Sequence, residues 1–334
     1  MIMRSKATLK NLSQKLNLSI STISRALKNH PDISEETKKK VTELANLMEY
    51  EPNPHAINLR TNKSKLFGLI VPEISNFFYH SFIATVEQEA RKAGYSLLIL
   101  QSANDPQVEE DNLKLCRLNR VDGVFVSITS HTEHMKPFQK LEEYDIPVIF
   151  FDKVPDYEAC NKICIDDEEA ATIAADALVR QNKEKVLAIF GDPHLSITQK
   201  REKAFCSFYQ KHAPQATVTC LHAYNSKEAE SFTQKTFENK QPFDSVFCMS
   251  DEILTGTMKA IQKLKLRIPK DISVISICNN DFIPFLYEPE ISFVETSGSE
   301  LGKLAFKRMM DHLNGKTFIQ ELTVPVRLVP GHSL

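Results

Sequence analysis

The spacing of apolar residues divides the chain into two parts near residue 64. The first part shows, in three short segments, the period of an amphipathic helix, in which apolar residues recur every three or four positions. The apolar residues of these predicted helices are Leu9, Leu12 and Leu16, then Ile23 and Leu27, then Val41, Leu44, Ala45 and Met48. Beyond residue 64 short apolar runs alternate with helical patterns, which is typical of an α/β domain.

Polar residues mark where the three short helices begin and end. Thr8, Ser19 and Ser34 precede the helices, and such residues cap a helix by accepting a backbone N–H. Asn17 ends the first helix, because asparagine tolerates the left-handed conformation of a tight turn. Two short helices joined by a tight turn, with a third beside them, predict a helix-turn-helix head.

The second part contains two series of apolar runs, each run followed by a helical pattern. The predicted strands are residues 66–71, 96–100, 121–127 and 147–151 in the first series, and 185–190, 217–221, 245–248 and 273–277 in the second. Such alternation gives parallel sheets flanked by helices. Two series therefore predict two similar lobes with a ligand cleft at the carboxyl ends of their strands.

Charge separates the two parts in the same way. The whole chain has a formal net charge of −2, but residues 1–63 carry eleven Lys or Arg against six Asp or Glu, and the rest is acidic. A basic head on an acidic body indicates a polyanion partner for the head, although a solvated helix surface would show the same charge. In a helix-turn-helix the second helix enters the major groove, and its outward residues here are mostly small, polar or basic. A helix-turn-helix that contacts only protein is the alternative.

The chain resembles the LacI/GalR (lac/galactose repressor) family of bacterial transcription regulators. The matching motifs are Ser19-x-x-Thr22-Ile23-Ser24-Arg25-Ala26-Leu27, Ile33-Ser34-x-x-Thr37 and Tyr50-x-Pro52-Asn53, followed by Ala56 and Leu59. Residues 66–78 resemble the first strand and loop of the family's effector domain, and weaker matches continue in order over essentially the whole chain. The resemblance implies a ligand-responsive DNA-binding regulator, most often a repressor, with an effector domain built like the periplasmic sugar-binding proteins.

The predicted fold class is α/β, with an all-α helix-turn-helix DNA-binding head and a two-lobed, periplasmic-binding-protein-like effector domain that contains parallel sheets. We assign residues 1–52 to the head, 53–63 to a hinge helix and linker, and 64–334 to an effector-binding and dimerisation domain. The N-lobe is expected to comprise about 64–161 and 291–322, and the C-lobe about 162–290 and 323–334. The corresponding crossings are expected near 161–163, 289–292 and 321–325.

The hinge segment combines helix breakers with a short helical pattern. Pro52 and Pro54 cannot continue a helix, and residues 55–60 form only about one and a half turns, which are unstable alone. The resemblance implies that this hinge folds on operator DNA, pairs with the hinge of a second copy and wedges Leu59 into the minor groove. An interdomain linker with incidental apolar residues is the alternative.

The predicted DNA contacts comprise base readers and phosphate contacts. By resemblance, Ile20 and Ser21 occupy the family's two most discriminating positions, and Ile20 can read a thymine methyl only by apolar contact. Basic and hydroxyl side chains should contact phosphates; these are Arg25, Lys28, Thr37 and Arg60. The full predicted DNA-binding set is Thr8, Ser19, Ile20, Ser21, Thr22, Ser24, Arg25, Lys28, Thr37, Asn53, Ala56, Leu59 and Arg60.

The resemblance also implies effector-binding residues at matched positions: Phe77, Phe78, Tyr79, Asp152, Arg201, Ser250, Asp251 and Cys278. Arg201 should clamp hydroxyls or a carboxylate of the ligand, with Asp152 as its nearest acceptor. Ser250 and Cys278 stand where the family usually has Asn and Asp, so two hydrogen-bonding positions are weakened. The loss of an aspartate at Cys278 favours a sugar phosphate or sugar acid over a neutral hexose. The alternative is that Phe77 and Phe78 belong to the hydrophobic core and that Arg201 is an ordinary surface residue.

The sequence carries no enzyme signature, since no GxG or GxSxG occurs and His131 and His134 have no cysteine or acidic cluster nearby. We therefore expect no enzymatic activity, no metal and no cofactor. Scattered cysteines, short apolar runs and an N-terminus without a signal peptide predict a cytoplasmic protein without a membrane segment. The expected partners are a near-palindromic double-stranded operator, a small-molecule effector such as a sugar or sugar derivative, and a second copy in a homodimer. A sugar-binding transport protein is the alternative.

Overall fold

The structure is a computed structural model that describes residues 7–51, 63–238, 243–279 and 283–334. The chain divides into two compact units, residues 1–64 and 65–334. This boundary coincides with the change in apolar spacing near residue 64. The predicted hinge contacts Asn53, Ala56, Leu59 and Arg60 lie outside the described residues.

Within residues 7–51 the first unit contains three helices, α1 (Leu9–Leu16), α2 (Ile20–Leu27) and α3 (Glu35–Leu47). The predicted capping residues are in place, because the side chains of Thr8, Ser19 and Ser34 each accept a backbone N–H of the helix that follows. Asn17 ends α1 with a φ of 53°, as the turn required. The buried core of this unit consists of Leu12, Ile23, Ala26, Val41 and Ala45.

The N-lobe of the second unit is built on a six-stranded, fully parallel sheet with the strand order β11-β5-β4-β3-β1-β2. Its strands are β1 (Leu66–Val71), β2 (Ser96–Gln101), β3 (Gly123–Val126), β4 (Val148–Phe151), β5 (Asn161–Ile165) and β11 (Glu321–Val324). The helices of this lobe are α4 (Phe77–Lys92), α5 (Pro106–Leu118), α6 (Lys136–Glu142) and α11 (Gly298–Leu313). Apolar clusters cover both faces of the sheet.

The C-lobe repeats this plan with the strand order β12-β10-β9-β8-β6-β7, in which only the pairing of β12 with β10 is antiparallel. Its strands are β6 (Lys185–Phe190), β7 (Thr217–His222), β8 (Ser245–Cys248), β9 (Ser273–Asn279), β10 (Ser292–Thr296) and β12 (Arg327–Val329). Its helices are α7 (Asp167–Arg180), α8 (Ser196–His212), α9 (Ser226–Glu238) and α10 (Asp251–Lys263), with a short 3₁₀ helix at Ile283–Leu286.

The positions of the strands within each sheet explain their sequences. The central strands β3, β4 and β8 are buried at every residue, which is why they read as unbroken apolar runs. In register, Leu69 of β1 pairs with Ile99 on one side and Phe125 on the other. The edge strands β2 and β7 have no fully buried residue, so their sequences admit more polar side chains.

The three crossings between the lobes lie a few residues later than the sequence predicted. The chain leaves the first sheet after Ile165, returns after Thr296 and crosses again between Val324 and Arg327. The predicted lobe boundaries are thus corrected, because β5 and β11 belong to the N-lobe and β10 belongs to the C-lobe. The spacing of apolar residues identifies a strand but not its neighbour, and these strands pair with partners distant along the chain.

Candidate functional site

The first unit presents one exposed face of α2, opposite the buried residues Ile23 and Ala26. Ile20 is 48% exposed although it is apolar, so this side chain is available to an outside partner. Ser21, Arg25 and Lys28 are also exposed, while Thr22 and Ser24 are half-buried. Neither Arg25 nor Lys28 forms an ion pair with another described residue. This face therefore offers one apolar contact, a hydroxyl and two unpaired cations.

Helix N-termini supply a second feature of this unit. The Ser19 hydroxyl accepts the backbone N–H of Thr22 at 3.0 Å and lies 2.7 Å from the Ser21 hydroxyl. Thr8 caps α1 by accepting the N–H of Asn11, and Thr37 donates its N–H to Ser34 at the start of α3. The N-terminal ends of helices attract anions such as phosphates. The predicted DNA contacts Thr8, Ser19 and Thr37 thus lie at the N-termini of helices, which attract a polyanion.

The second unit contains a cavity of about 320 Å³ between its lobes, near the lower end of the volumes of small-molecule sites. It lies at the carboxyl ends of β1, β4, β6 and β8, where open α/β sheets bind ligands. Seven of the eight predicted effector residues line it: Phe77, Phe78, Tyr79, Asp152, Arg201, Ser250 and Asp251. The structure thus brings together residues that are up to about 170 positions apart in the chain.

Tyr79 and Asp152 form the polar part of the N-lobe wall. The Tyr79 hydroxyl donates to Asp152 Oδ2 at 2.8 Å and lies 2.8 Å from the Ser127 hydroxyl. Asp152 follows β4 in the left-handed conformation, with a φ of 57°, which aspartate tolerates better than most residues. Burial raises the pKa of Asp152, so its carboxylate gains from further hydrogen-bond donors. A ligand hydroxyl in the cavity would be such a donor.

Arg201 does not have the partner that the sequence predicted. It donates from Nε to Asp167 Oδ1 at 2.9 Å and from a terminal nitrogen to the Met249 carbonyl at 2.7 Å. The expected acceptor Asp152 is therefore corrected to Asp167, which begins α7. Burial raises the pKa of Asp167 to about 6, although the positive charge of Arg201 lowers it. Arg201 is 5% exposed, so it presents only part of its guanidinium to a ligand.

Ser250 and Asp251 start α10 at the C-lobe wall of the cavity. Ser250 caps this helix by accepting the N–H of Ile253, and Asp251 Oδ2 accepts the N–H of Asn279 at 2.9 Å. These contacts hold the end of β8, the start of α10 and the end of β9 together. The substitution of the family's asparagine by Ser250 thus retains a helix cap.

The expected role of Cys278 is corrected by its position. Cys278 is 1% exposed in the apolar core of the C-lobe and does not line the cavity. Its neighbour Ile277 is 2% exposed in the same core and also reaches the cavity wall. The side chain at position 278 therefore adds no charge to the wall and gives no support to an anionic ligand.

Several residues of the wall were missed by the sequence reasoning. The described wall carries five carboxylates and two cations, namely Glu73, Asp152, Asp192, Asp251, Glu252, Lys153 and Arg201. Since Arg201 is already paired with Asp167, the wall is acidic. Asp192 lies directly beyond β6, so the rule that ligands bind at the ends of parallel strands could have found it.

Thr198 is a further missed residue, three positions before Arg201 on α8. It is fully buried and lines the cavity, and its hydroxyl has no hydrogen-bond partner among the described residues. Leu195 precedes α8 without a side-chain cap, so the positive end of this helix also lies at the wall. An unpaired buried hydroxyl costs free energy until it is hydrogen-bonded, which indicates a polar ligand atom at this place.

Direct contacts join the two lobes around the cavity. Asn279, at the end of β9 in the C-lobe, donates to the Ser81 hydroxyl of α4 at 3.0 Å and accepts the N–H of Gly298 at 3.1 Å. A side chain at position 298 would meet the Phe78 carbonyl oxygen at 2.7 Å from its Cβ, so this approach requires glycine. The Ser196 hydroxyl donates to the carbonyl of Val154 across the cleft. These contacts join the two lobes beside the cavity, which remains partly open to solvent.

Within residues 7–51, 63–238, 243–279 and 283–334, no group of three or more His, Cys, Asp or Glu side chains could hold a metal ion. A search of the same ranges found no helix with the length and apolar character needed to cross a membrane.

Comparison with known proteins gives matches over both units. Residues 8–53 match the sequence profile of the family described as "Bacterial regulatory proteins, lacI family", and residues 67–317 match that of the "Periplasmic binding protein domain". The chain is similar to the "HTH-type transcriptional repressor PurR" of Vibrio atlanticus, at 25% identity over 93% of both chains. It is also similar to the "Sucrose operon repressor" of Pediococcus pentosaceus, at 24% identity over 98% of this chain and 99% of that one. These relatives are repressors, which agrees with the expectation that the chain is not an enzyme.

A solved structure shares the fold of both units. The lac repressor dimer bound to operator and the anti-inducer ONPF matches with a TM-score of 0.88 at 18% identity, over 98% of this chain and 99% of that one. The predicted fold class, a helix-turn-helix head with a two-lobed periplasmic-binding-protein-like domain, is confirmed.

Proposed function

This chain belongs to the LacI/GalR family of bacterial transcription regulators, and on that premise we propose that it is a homodimeric repressor of a near-palindromic operator, controlled by a small polyhydroxylated effector. The observation that carries this proposal is that one compact unit has an exposed, basic helix face and the other has a polar cavity. The helix face suits base edges and phosphates, and the cavity suits a ligand rich in hydroxyls. A protein that binds operator DNA acts where the chromosome lies, so we place it in the cytoplasm.

The dimer follows from how helix-turn-helix proteins bind DNA. One head contacts one half-site, and two heads related by a two-fold axis read a palindrome. The similar lac repressor structure is itself a dimer on operator. We propose the same arrangement here, with the hinge wedging Leu59 into the minor groove between the half-sites and Arg60 contacting a phosphate.

The acidic wall indicates the chemical class of the effector. Asp152 and the other carboxylates accept hydrogen bonds from hydroxyl or ammonium groups and repel phosphates and carboxylates. Thr198 and Arg201 can each donate to a neutral ligand oxygen. The cavity therefore supports a neutral sugar or amino sugar as effector, in place of the anionic derivative that the sequence suggested.

We expect neutral sugars or amino sugars, and not their phosphates or acids, to change the affinity of the protein for its operator. The test titrates the full-length protein on operator DNA with matched sets of sugars, amino sugars, sugar phosphates and sugar acids. Asp152→Asn should weaken the response to the active sugar about tenfold to a hundredfold, because a charged hydrogen bond contributes about 1.5–3 kcal/mol. A sugar phosphate or acid that acts at lower concentration than its neutral parent would overturn the assignment.

The base-reading prediction concerns Ile20 and Ser21. Exchanging this pair for another changes the apolar and hydroxyl groups that meet the base edges, so the preferred half-site should change by about 1–3 kcal/mol for each altered contact. Selection of bound sequences from random DNA checks this result. Replacing both Lys10 and Lys15, which are exposed on α1, serves as the control and should leave the selected half-site consensus unchanged. If the native protein and the variant at Ile20 and Ser21 select the same consensus, Ile20 and Ser21 do not read bases.

Arg25 should act mainly through phosphates. Its guanidinium has no ion-pair partner among the described residues, so it is available to DNA. Arg25→Ala is expected to weaken specific and non-specific binding by similar factors and to reduce the slope of log affinity against log salt by about 1. Binding isotherms on operator and random DNA at several salt concentrations measure this slope. A loss confined to operator DNA would instead identify Arg25 as a base reader.

A further inference from the structure

Two of the seven cysteines lie in contact on the C-lobe, away from the interlobe cavity. Cys206 of α8 and Cys220 of β7 have their sulfur atoms 3.5 Å apart. Both are half-buried, whereas the other five cysteines are buried. β7 is the edge strand of its sheet, so small oxidants reach this pair more readily than the other thiols.

The two sulfur atoms differ in chemical character. The two thiols share a hydrogen bond in which either sulfur can be the donor, and this contact lowers the pKa of Cys206 and raises that of Cys220. Burial raises the pKa of other cysteines, to about 12 at Cys116 and Cys164. Because the thiolate is the reactive form, Cys206 is the nucleophile of this pair and Cys220 is the thiol that resolves its oxidised product.

We propose that Cys206 and Cys220 form a reversible dithiol–disulfide site that responds to peroxide or to oxidised low-molecular-weight thiols. With hydrogen peroxide, the Cys206 thiolate attacks one oxygen, the O–O bond breaks, and sulfenic acid and water form after proton uptake. The Cys220 sulfur then attacks the sulfenic sulfur, the S–O bond breaks, and a second water leaves. Two thiols are oxidised to one disulfide while one peroxide is reduced to two waters.

The geometry is compatible with this bond. A disulfide requires sulfur atoms about 2.05 Å apart, so the two must approach by roughly 1.5 Å from their 3.5 Å separation. The bond would join α8 to the edge strand β7. Since α8 also carries Thr198 and Arg201 in the cavity wall, the cross-link acts on the helix that lines the effector site.

Peptide mapping under non-reducing conditions tests the proposal on the full-length protein. Trypsin cleaves after Lys203, Lys211 and Lys227, which places Cys206 and Cys220 in separate peptides with one cysteine each. After graded peroxide or a glutathione redox buffer, we expect these peptides to appear as one species that has lost two hydrogen atoms. Dithiothreitol should restore both separate peptides.

Matched variants separate the disulfide from unspecific oxidation. Cys206→Ser should abolish the cross-linked species, whereas Cys220→Ser should leave Cys206 as a sulfenic acid that dimedone traps. The Cys116→Ser variant removes a buried thiol and should cross-link like the wild type. A failure of the two peptides to join, disulfides spread equally over the other cysteines, or oxidation of Cys206 only to irreversible acids would each overturn the proposal.

Discussion

Replacing Arg201 with alanine is expected to destabilise the effector domain by about 3–5 kcal/mol, because it leaves a buried charge without its partner. Arg201 and Asp167 are 5% and 6% exposed, and the guanidinium also donates to the Met249 carbonyl. Their attraction offsets the cost of burying both charges. Denaturant unfolding of the full-length protein, monitored in the effector domain, measures the change. The effector response should be lost in the same variant.

Two further variants separate the buried pair from the general effect of a substitution on α8. Lys203→Ala changes an exposed side chain of the same helix and should alter the stability by less than about 0.5 kcal/mol. A double variant with Arg201→Leu and Asp167→Leu removes both charges and should recover much of the loss. If the double variant is less stable than Arg201→Ala alone, the unpaired carboxylate is not the cause.

The stability lost in Arg201→Ala should depend on pH. The pKa of Asp167 is about 6 in the native protein, where burial raises it and Arg201 lowers it. Without Arg201 the folded-state pKa rises further above the unfolded value, so the carboxyl must bind a proton or remain charged in the core. The deficit relative to the native protein should therefore grow above pH 6, with a slope of up to about 1.4 kcal/mol per pH unit. A deficit that shrinks as the pH rises contradicts this explanation.

Ile23→Ala is expected to unfold the head and abolish operator binding while the effector domain stays folded. Ile23 is fully buried in a core of only five buried residues, and such a truncation costs about 2–5 kcal/mol. A domain of this size has only about 3–5 kcal/mol to lose. Calorimetry should show that the unfolding transition of the head is lost or moves to a lower temperature, while the transition of the effector domain is unchanged. Operator titration should show no specific binding.

The same helix provides a matched control for this prediction. Ile20 is 48% exposed, so Ile20→Ala removes the same number of atoms without opening a cavity. We expect it to leave the stability of the head within about 0.5 kcal/mol while altering base preference. Equal loss of stability in the two variants would show that Ile20 packs within the head core.

The sequence predicted those elements whose signal is local. The strands Leu66–Val71 and Lys185–Phe190 are buried along almost their whole length, so apolar runs defined their bounds. The helix caps at Ser19 and Ser34 depend on residues three positions apart. The strands at the lobe crossings could not be assigned to a sheet, because their pairing partners, such as Glu321 for Lys162, lie far away in sequence.

The candidate site was predicted in its composition more than in its contacts. Seven of eight effector residues line the cavity, and all of these except Arg201 follow a strand end or lie in the first turn of a helix. The partner of Arg201 could not be predicted, because Asp167 is 34 positions away and only the packing of α7 on α8 brings them together. Cys278 was placed in the site from its sequence position alone, whereas its burial depends on how β9 packs in the core of the C-lobe.

The contacts of Asn279 with Ser81 and Gly298 bear on the affinity of the effector. They hold the two lobes together without a ligand, so both walls of the cavity are already in place when the effector arrives. Binding therefore incurs no penalty for bringing the lobes together. The affinity of the effector should then reflect its own contacts with the wall.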